Sequence, residues 1–245
     1  MRNIQDALYK GRKVTLIENL IYDELGQAVL RLHNEKFKGV KGIEDLTEYE
    51  PDQPLSFSNT PRSLSYNQIL RELSVPAHVL SLKEMVRYLV FTLERATTYA
   101  DSDSVAIFPR EGPNEDLRQQ ALSIAGIQNP EQPYLISGLG VDKADNAPFK
   151  FTETDHVLAT PAPYLTHNCR VKYDPNTDSL VEIDDQKGIN IWTPKNQSGL
   201  RSAYRNRSDG LDFEGVGLLY SVDDGRVQIL CEPQAHAKNL EAKAV

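Results

Sequence analysis

The sequence contains few cysteines, and they form no pattern typical of a covalent framework. Only two are present, Cys169 and Cys231, and a single pair cannot supply the disulfide network that stabilises small secreted domains. Each lies in a segment with the alternating pattern of a strand, where a free thiol behaves as a small buried hydrophobic group. The cysteines therefore indicate an intracellular protein.

Long apolar runs are also missing from the chain. No stretch approaches the ~18–20 apolar residues that a helix needs to cross a bilayer, and residues 1–6 contain no apolar signal core. We therefore expect no membrane partner. The expected location is the cytoplasm, or a particle assembled from cytoplasmic subunits.

An excess of positive charge is absent as well. The 27 Lys and Arg residues are outnumbered by 35 Asp and Glu residues, which gives a net charge of −8 at pH 7. A general nucleic-acid coat needs a cationic face that neutralises phosphates. Nucleic acid is therefore not expected as the main partner.

Recognisable catalytic motifs are the last absence. The chain has no Gly-x-Ser-x-Gly nucleophile turn, no Walker A loop and no His-Glu-x-x-His zinc motif. This pattern favours a non-catalytic role and predicts no cofactor.

The most informative feature that is present is a change of sequence period near the middle. Apolar residues repeat at helical spacing over 14–125, whereas short alternating runs joined by turn residues follow from about 165. We predict an α+β protein with a mainly helical region over 1–130 and a mainly β region over 131–245. The β region is predicted as an antiparallel sheet or a small sandwich, and the two regions are either separate or one continuous domain.

Three helices are predicted in the first region. An apolar stripe predicts a helix over 14–32, and a capping box of Ser81 with Glu84 opens a second helix that continues to 96. A third is predicted over 113–125, with a proline in its first turn. The acidic and proline-rich stretch 43–65 is predicted as an irregular connector.

Strands and hairpins are predicted from alternation and turn residues. Residues 104–108 and 134–137 are predicted strands. One hairpin is predicted over 169–183 around a turn at 174–178, and a second over 217–230 around a turn at 222–225.

Two groups of residues resemble metal sites in type but not in spacing. Residues 174–185 place oxygen donors as a calcium loop does, but Ser179 stands where that loop needs glycine, so we favour a hairpin turn. Asp155, His156, His167 and Cys169 are zinc-ligand types, yet only the last two approach the short paired spacing of zinc ligands. We predict no metal site.

Two acidic patterns resemble those of phosphate chemistry. Asp101 and Asp103 have the spacing of a phosphotransferase pair, but they follow a predicted helix and are expected to be solvated. The second pattern places an Asp-x-Lys tripeptide at a strand end beside further acids, as nucleases do when they hold magnesium. It supports an alternative function, a metal-dependent hydrolase of phosphodiesters, with these catalytic residues: Glu182, Asp184, Asp185 and Lys187.

A basic and aromatic segment over 187–207 contains no acid, although the chain as a whole is acidic. Arginine and aromatic residues are enriched where proteins dock, whereas a solvated loop is the alternative explanation. We predict a non-catalytic subunit of a larger assembly, such as a viral particle or its head–tail connector, with other subunits and copies of itself as partners. The predicted contact residues are Lys187, Trp192, Lys195, Arg201, Tyr204, Arg205 and Arg207.

Overall fold

The computed structural model describes residues 4–9, 12–18, 24–43, 59–92, 99–145, 147–206, 210–215, 217–219 and 226–231. These ranges contain helices and a large β-sheet, which confirms the α+β class. The helices are α1 (Glu24–Lys36), α2 (Thr60–Glu72), α3 (Leu82–Thr92) and α4 (Glu115–Ile124), with a short 3-10 helix at Pro163–Thr166.

The strands extend from the N-terminal to the C-terminal part of the described chain. They are β1 (Ile4–Tyr9), β2 (Arg12–Glu18), β3 (Ala77–Val79), β4 (Ala100–Ile107), β5 (Tyr134–Ser137), β6 (Gly140–Asp142), β7 (Lys150–Thr152), β8 (Leu158–Pro161), β9 (Cys169–Asp174), β10 (Ser179–Glu182), β11 (Ile189–Trp192), β12 (Leu200–Arg205), β13 (Gly210–Asp212) and β14 (Arg226–Cys231).

The sheet is mixed rather than antiparallel. Its main order is β1-β2-β14-β4-β12-β13-β11-β9-β10, while β3 pairs with β14, β5 with β4, and β8 with β5. Two pairs, β4 with β14 and β11 with β13, are parallel. The remaining pairs in this sheet are antiparallel, so the predicted antiparallel sheet is corrected to a mixed sheet that takes strands from both sides of residue 130.

The predicted helical N-terminal region is not supported. Residues 12–18 form β2, between β1 and β14, and the first described helix begins at Glu24. The apolar residues of β2 pair across the sheet, for example Leu16 with Leu230. A short apolar run fits both periods, so here the strand partners decide the structure.

A second correction concerns α2, which begins inside the predicted connector. Asn59 caps it, because its side chain accepts a hydrogen bond from the Arg62 N–H at 2.8 Å, and Pro61 lies in the first turn, where no N–H is needed. Residues 44–58 of the connector lie outside the described residues. Pro61, which contributed to the prediction of an irregular connector, therefore lies at the start of a helix.

Several other predictions are confirmed. The capping box forms, with Ser81 Oγ donating to Glu84 Oε2 at 3.0 Å and the Glu84 N–H donating to Ser81 Oγ at 3.3 Å. Helix α4, the strand at 134–137 and the hairpin of β9 and β10 also form as predicted.

The second predicted hairpin differs from the structure. Residues 218–219 make a turn rather than a strand, residues 222–225 lie outside the described residues, and β14 pairs with β2, β3 and β4. Strands that lie more than a hundred residues earlier in the chain therefore replace the expected local partner.

Strand β4 separates two layers of the core and is buried along its whole length. Val105 and Ile107 face the layer that contains α1 and α2, whereas Ala106 and the following Phe108 face the layer that contains β9 and β11. This alternation explains why β4 reads as a continuous buried run. Among the described helices, none combines the length and apolar character that crossing a membrane requires.

Candidate functional site

The structure distributes the basic and aromatic segment between surface and interior. Lys187 and Lys195 are exposed, and Trp192 and Tyr204 are partly buried. The side chains of Arg201 and Arg205 are buried, and Arg207 lies outside the described residues. The segment is therefore not one continuous exposed surface.

Arg201 is occupied by contacts within its own chain. It is 2% exposed, and its guanidinium donates to Ser198 O at 3.0 Å, Glu214 O at 3.1 Å and Asn196 Oδ1 at 2.9 Å. Burial lowers the pKa of this guanidinium. The sequence pattern suggested a loop, but 200–205 forms β12, whose position between β4 and β13 encloses its side chains.

The four predicted hydrolase residues do not gather around one point. Asp184, Asp185 and Lys187 are exposed. Asp185 Oδ1 accepts the Lys187 N–H at 3.0 Å, which makes a local turn rather than a cation site. Glu182 instead lies 3.0 Å from His167, measured from Oε1 to Nε2.

The predicted calcium-loop residues form the turn of the β9–β10 hairpin. Asp174 accepts the Asn176 N–H at 3.0 Å and the Thr177 hydroxyl at 2.9 Å, and these hydrogen bonds lower the pKa of Asp174. Asp178 accepts from the Tyr173 hydroxyl at 2.7 Å and Lys83 at 2.9 Å. The carboxylates are therefore engaged as the hairpin interpretation predicts.

Asp101 and Asp103 require a correction, because neither is solvated. Both lie within β4 and are buried, at 6% and 5% exposure. Asp103 accepts hydrogen bonds from Asn67 Nδ2 and Ser104 Oγ, each at 3.2 Å. Burial, followed by the nearby charge of Glu84, raises the pKa of Asp103 to about 7.

A histidine and a second carboxylate complete this buried network. His78 Nε2 lies 3.0 Å from Glu84 Oε1, and Glu84 Oε2 accepts from the N–H and hydroxyl of Ser81. Burial opposes ionisation of both groups, but their mutual hydrogen bond and attraction outweigh it. The pKa of His78 is raised, and that of Glu84 is lowered.

The network joins four elements of the fold. Asn67 on α2 also accepts the Val79 N–H at 3.1 Å, and Ser104 on β4 accepts the Leu82 N–H at 3.1 Å. The carboxyl oxygens of Asp103 and Glu84 are engaged by protein donors, so the contacts make this network a link between α2, β3, α3 and β4. Sequence reasoning missed it, apart from the capping box.

A groove of about 820 Å³ beside α4 contains none of these network residues. Exposed Glu111 and Glu131 lie along it, with the buried Arg118. Arg118 donates to Phe108 O at 3.0 Å and Glu115 Oε1 at 2.8 Å, so internal contacts occupy its guanidinium.

One end of the β9–β10 hairpin brings together three side chains of metal-ligating type. The ligand atoms of His167, Cys169 and Glu182 all lie within 4.8 Å of one another, and this is the group of that kind found among the described residues. His167 and Glu182 are exposed, and Cys169 is half-buried. Burial, with the charge of Glu182, raises the pKa of the Cys169 thiol to about 11. Asp155 and His156, which the sequence grouped with the first two, are not part of this cluster.

The chain was compared with protein families, curated proteins and solved structures. No family model, no curated protein and no solved structure matches the chain. Function is therefore argued from the described geometry alone.

Proposed function

We propose that this chain is a non-catalytic structural or interaction subunit of a larger assembly, with other protein subunits, including copies of itself, as partners. The observation that supports this most directly is the outer edge of β10. Strand β10 stands last on its side of the described sheet, with β9 as its neighbour. Exposed strand edges offer hydrogen-bonding groups to another chain.

Along β10, the backbone groups of successive residues point alternately toward β9 and away from the sheet. The Ile183 N–H donates to Arg170 O at 2.8 Å, so Val181, two residues earlier, also directs its backbone groups toward β9. The backbone groups of Leu180 and Glu182 therefore point away from the sheet. They supply the pattern that an added strand recognises.

The hairpin that carries this edge is held in place before any partner arrives. Lys83 on α3 donates to Asp178 at 2.9 Å, and the guanidinium of Arg87 lies 4.9 Å from the ring centre of Tyr173. A pre-ordered edge loses less conformational entropy when a partner strand is added. This favours association over a loose, solvated hairpin.

The test uses a charge at the centre of this edge. In a two-fold antiparallel pairing centred on Val181, two copies of this half-buried side chain would lie opposite each other. Val181→Lys would then place like charges face to face, which opposes pairing. Val181→Thr is the matched control, because it keeps the branched shape without a charge.

Light scattering over a range of concentrations measures the outcome. We expect the unmodified chain and Val181→Thr to form particles larger than one chain, and Val181→Lys to shift toward the monomer. The neighbouring gene products are added in a second series, since a partner subunit can supply the strand. A chain that remains monomeric in both series would contradict the proposal.

The alternative, a metal-dependent phosphodiester hydrolase, keeps one supporting observation. Glu182 lies beside His167 and Cys169, which are both metal-ligand types. The double variant Asp185→Ala with Lys187→Ala tests it. Metal-stimulated cleavage of a phosphodiester by the unmodified chain, lost in this variant while particle mass is unchanged, would favour the hydrolase.

A further inference from the structure

Three side chains of different chemistry converge where β9 begins and β10 ends. They offer an imidazole nitrogen, a thiol sulfur and a carboxylate oxygen, and the three atoms lie within 4.8 Å of one another. We propose that His167, Cys169 and Glu182 bind one zinc ion, with a water molecule in the fourth position. This site is independent of the assembly proposed above.

The ligand set favours zinc over the common hard cations. Calcium and magnesium take oxygen ligands almost entirely, whereas thiolate and imidazole suit zinc. Zinc sites with three protein ligands and one open position use mixed sets of this kind. The exposure of His167 and Glu182, whose side chains are 56% and 43% exposed, leaves solvent access for the fourth ligand.

The distances are close to those of a tetrahedral site. Zinc bonds of about 2.0 Å to nitrogen or oxygen and about 2.3 Å to sulfur place the ligand atoms about 3.3–3.6 Å apart. His167 Nε2 and Glu182 Oε1 lie 3.0 Å apart, slightly closer than this, and no two of the three ligand atoms are more than 4.8 Å apart. Side-chain rotation of the two exposed residues can supply the remaining adjustment without a change in the backbone.

The contacts around His167 hold its ring beside the other two ligands. Thr166 Oγ1 donates to Pro163 O at 2.8 Å and lies 3.3 Å from His167 Nδ1. The other ring nitrogen, Nε2, lies 3.0 Å from Glu182 Oε1. Nε2 therefore faces the cluster, while Thr166 contacts the opposite nitrogen, as a residue that orients a metal-binding imidazole does.

The backbone between the ligands is fixed from both sides. Asn168 Oδ1 accepts from the Thr193 N–H at 2.8 Å and from its hydroxyl at 3.1 Å. Cys169 pairs with Ile191 of β11, and Glu182 is held opposite Val171 by the hairpin register. The ligands are therefore presented from a preformed frame, as metal sites require.

Zinc binding changes two contacts that exist without it. The Cys169 thiol, whose sulfur lies 3.2 Å from Tyr164 O, loses its proton to solvent and forms a sulfur–zinc bond. The contact between His167 and Glu182 is replaced by a nitrogen–zinc bond and an oxygen–zinc bond. The zinc ion stays divalent throughout, so no oxidant or reductant is needed.

Cobalt titration of the full chain, after removal of any affinity tag and with a reductant that does not bind metal, tests the site. We expect one equivalent of Co²⁺ to bind and to produce a thiolate-to-cobalt charge-transfer absorption in the near ultraviolet, which excess Zn²⁺ abolishes. Cys169→Ser should remove this absorption. Cys231→Ser, at the other cysteine in the chain, should keep it.

The exposed ligands provide variants that should fold normally. His167→Asn and Glu182→Gln should each weaken zinc binding at least tenfold, and His156→Asn, an exposed histidine outside the cluster, should not. Thr166→Val, which removes the group that orients the ring, should weaken binding by about 10–100-fold. Circular dichroism confirms folding of each variant.

Three results would contradict the zinc site. No charge-transfer absorption in the unmodified chain, an absorption that survives Cys169→Ser, or unchanged affinity in His167→Asn and Glu182→Gln would each refute the site. If Cys169→Ser fails to fold, the two exposed variants decide the matter. The absorption of bound cobalt reports metal binding, whereas light scattering reports particle mass. The two measurements are separate, so this proposal and the assembly proposal fail or succeed separately.

Discussion

Replacing Asp103 with asparagine should remove much of the pH dependence of folding stability between pH 4 and pH 7. The carboxyl lies buried in β4, bonded by Asn67 and Ser104. Asparagine has the same shape, keeps an oxygen for the Asn67 donor and cannot ionise. The change therefore isolates the ionisation of one group with little change in packing.

The structure sets both the sign and the size of this effect. The pKa of about 7 in the folded chain lies above the ordinary value of 3.8. Between these values the folded state binds a proton that the unfolded state has lost, so the free energy of unfolding falls as pH rises through this window. At about 1.36 kcal/mol per pKa unit the full effect is about 4 kcal/mol, of which about 2–3 kcal/mol is lost between pH 5 and pH 8.

Urea unfolding of both proteins at several pH values measures the effect. The free energy of unfolding of the unmodified chain, minus that of Asp103→Asn, should fall by about 2–3 kcal/mol between pH 5 and pH 8. The difference removes the contributions of other groups that titrate in both proteins. Asp185→Asn, at an exposed turn, is the control: the difference in free energy of unfolding between the unmodified chain and this variant should stay constant between pH 5 and pH 8. A flat difference for Asp103→Asn would refute the argument that its burial governs its ionisation.

Three further predictions concern buried contacts. Arg201→Met should lower the free energy of unfolding by about 2–4 kcal/mol, because three acceptors lose a charged donor, and a fully stable variant in urea unfolding would contradict this. Gly210→Ala should lower the melting temperature, since a Cβ there would lie 1.7 Å from the Trp192 ring; an unchanged value in calorimetry would show that the ring moves freely. Glu84→Gln should lower the free energy of unfolding most above pH 4.5, the ordinary pKa of Glu. The lowered pKa of Glu84 stabilises the fold in that range, and this stabilisation is lost as pH falls. A decrease in the free energy of unfolding that is equally large in acid would contradict the pairing with His78.

The parts of the fold that the sequence predicted are those with local causes. The capping box of Ser81 with Glu84, the strand at 134–137 and the β9–β10 hairpin each depend on residues near one another in the chain. The N-terminal segment depends on distant partners instead. Residues 12–18 form a strand because β1 and β14 are placed beside them, and β14 comes from the other end of the chain.

Burial was the harder property to infer from the sequence. The sequence predicts a solvated Asp103 because this residue follows a predicted helix, and it predicts Arg201 as a contact residue of the basic and aromatic segment. They lie inside because β4 and β12 are neighbours in the middle of the sheet, a position that depends on their pairing with three other strands, β5, β13 and β14. The sequence of β12 contains no local signal of this, since its alternation fits a half-exposed strand equally well.

The position of Glu182 beside His167 and Cys169 could not be inferred from the predicted turn. A five-residue turn at 174–178 pairs residue 173 with 179 and therefore places Glu182 opposite Arg170. In the structure Asp174 itself pairs with Ser179, and this shift of one residue brings Glu182 opposite Val171. Residue 171 is two positions from Cys169, which in a strand means the same face. Because a shift of one residue turns every side chain of a strand to the other face of the sheet, the turn length must be known before ligands on two strands can be grouped. Distance along the chain, the remaining guide, groups Asp155 and His156 with His167 and Cys169 instead.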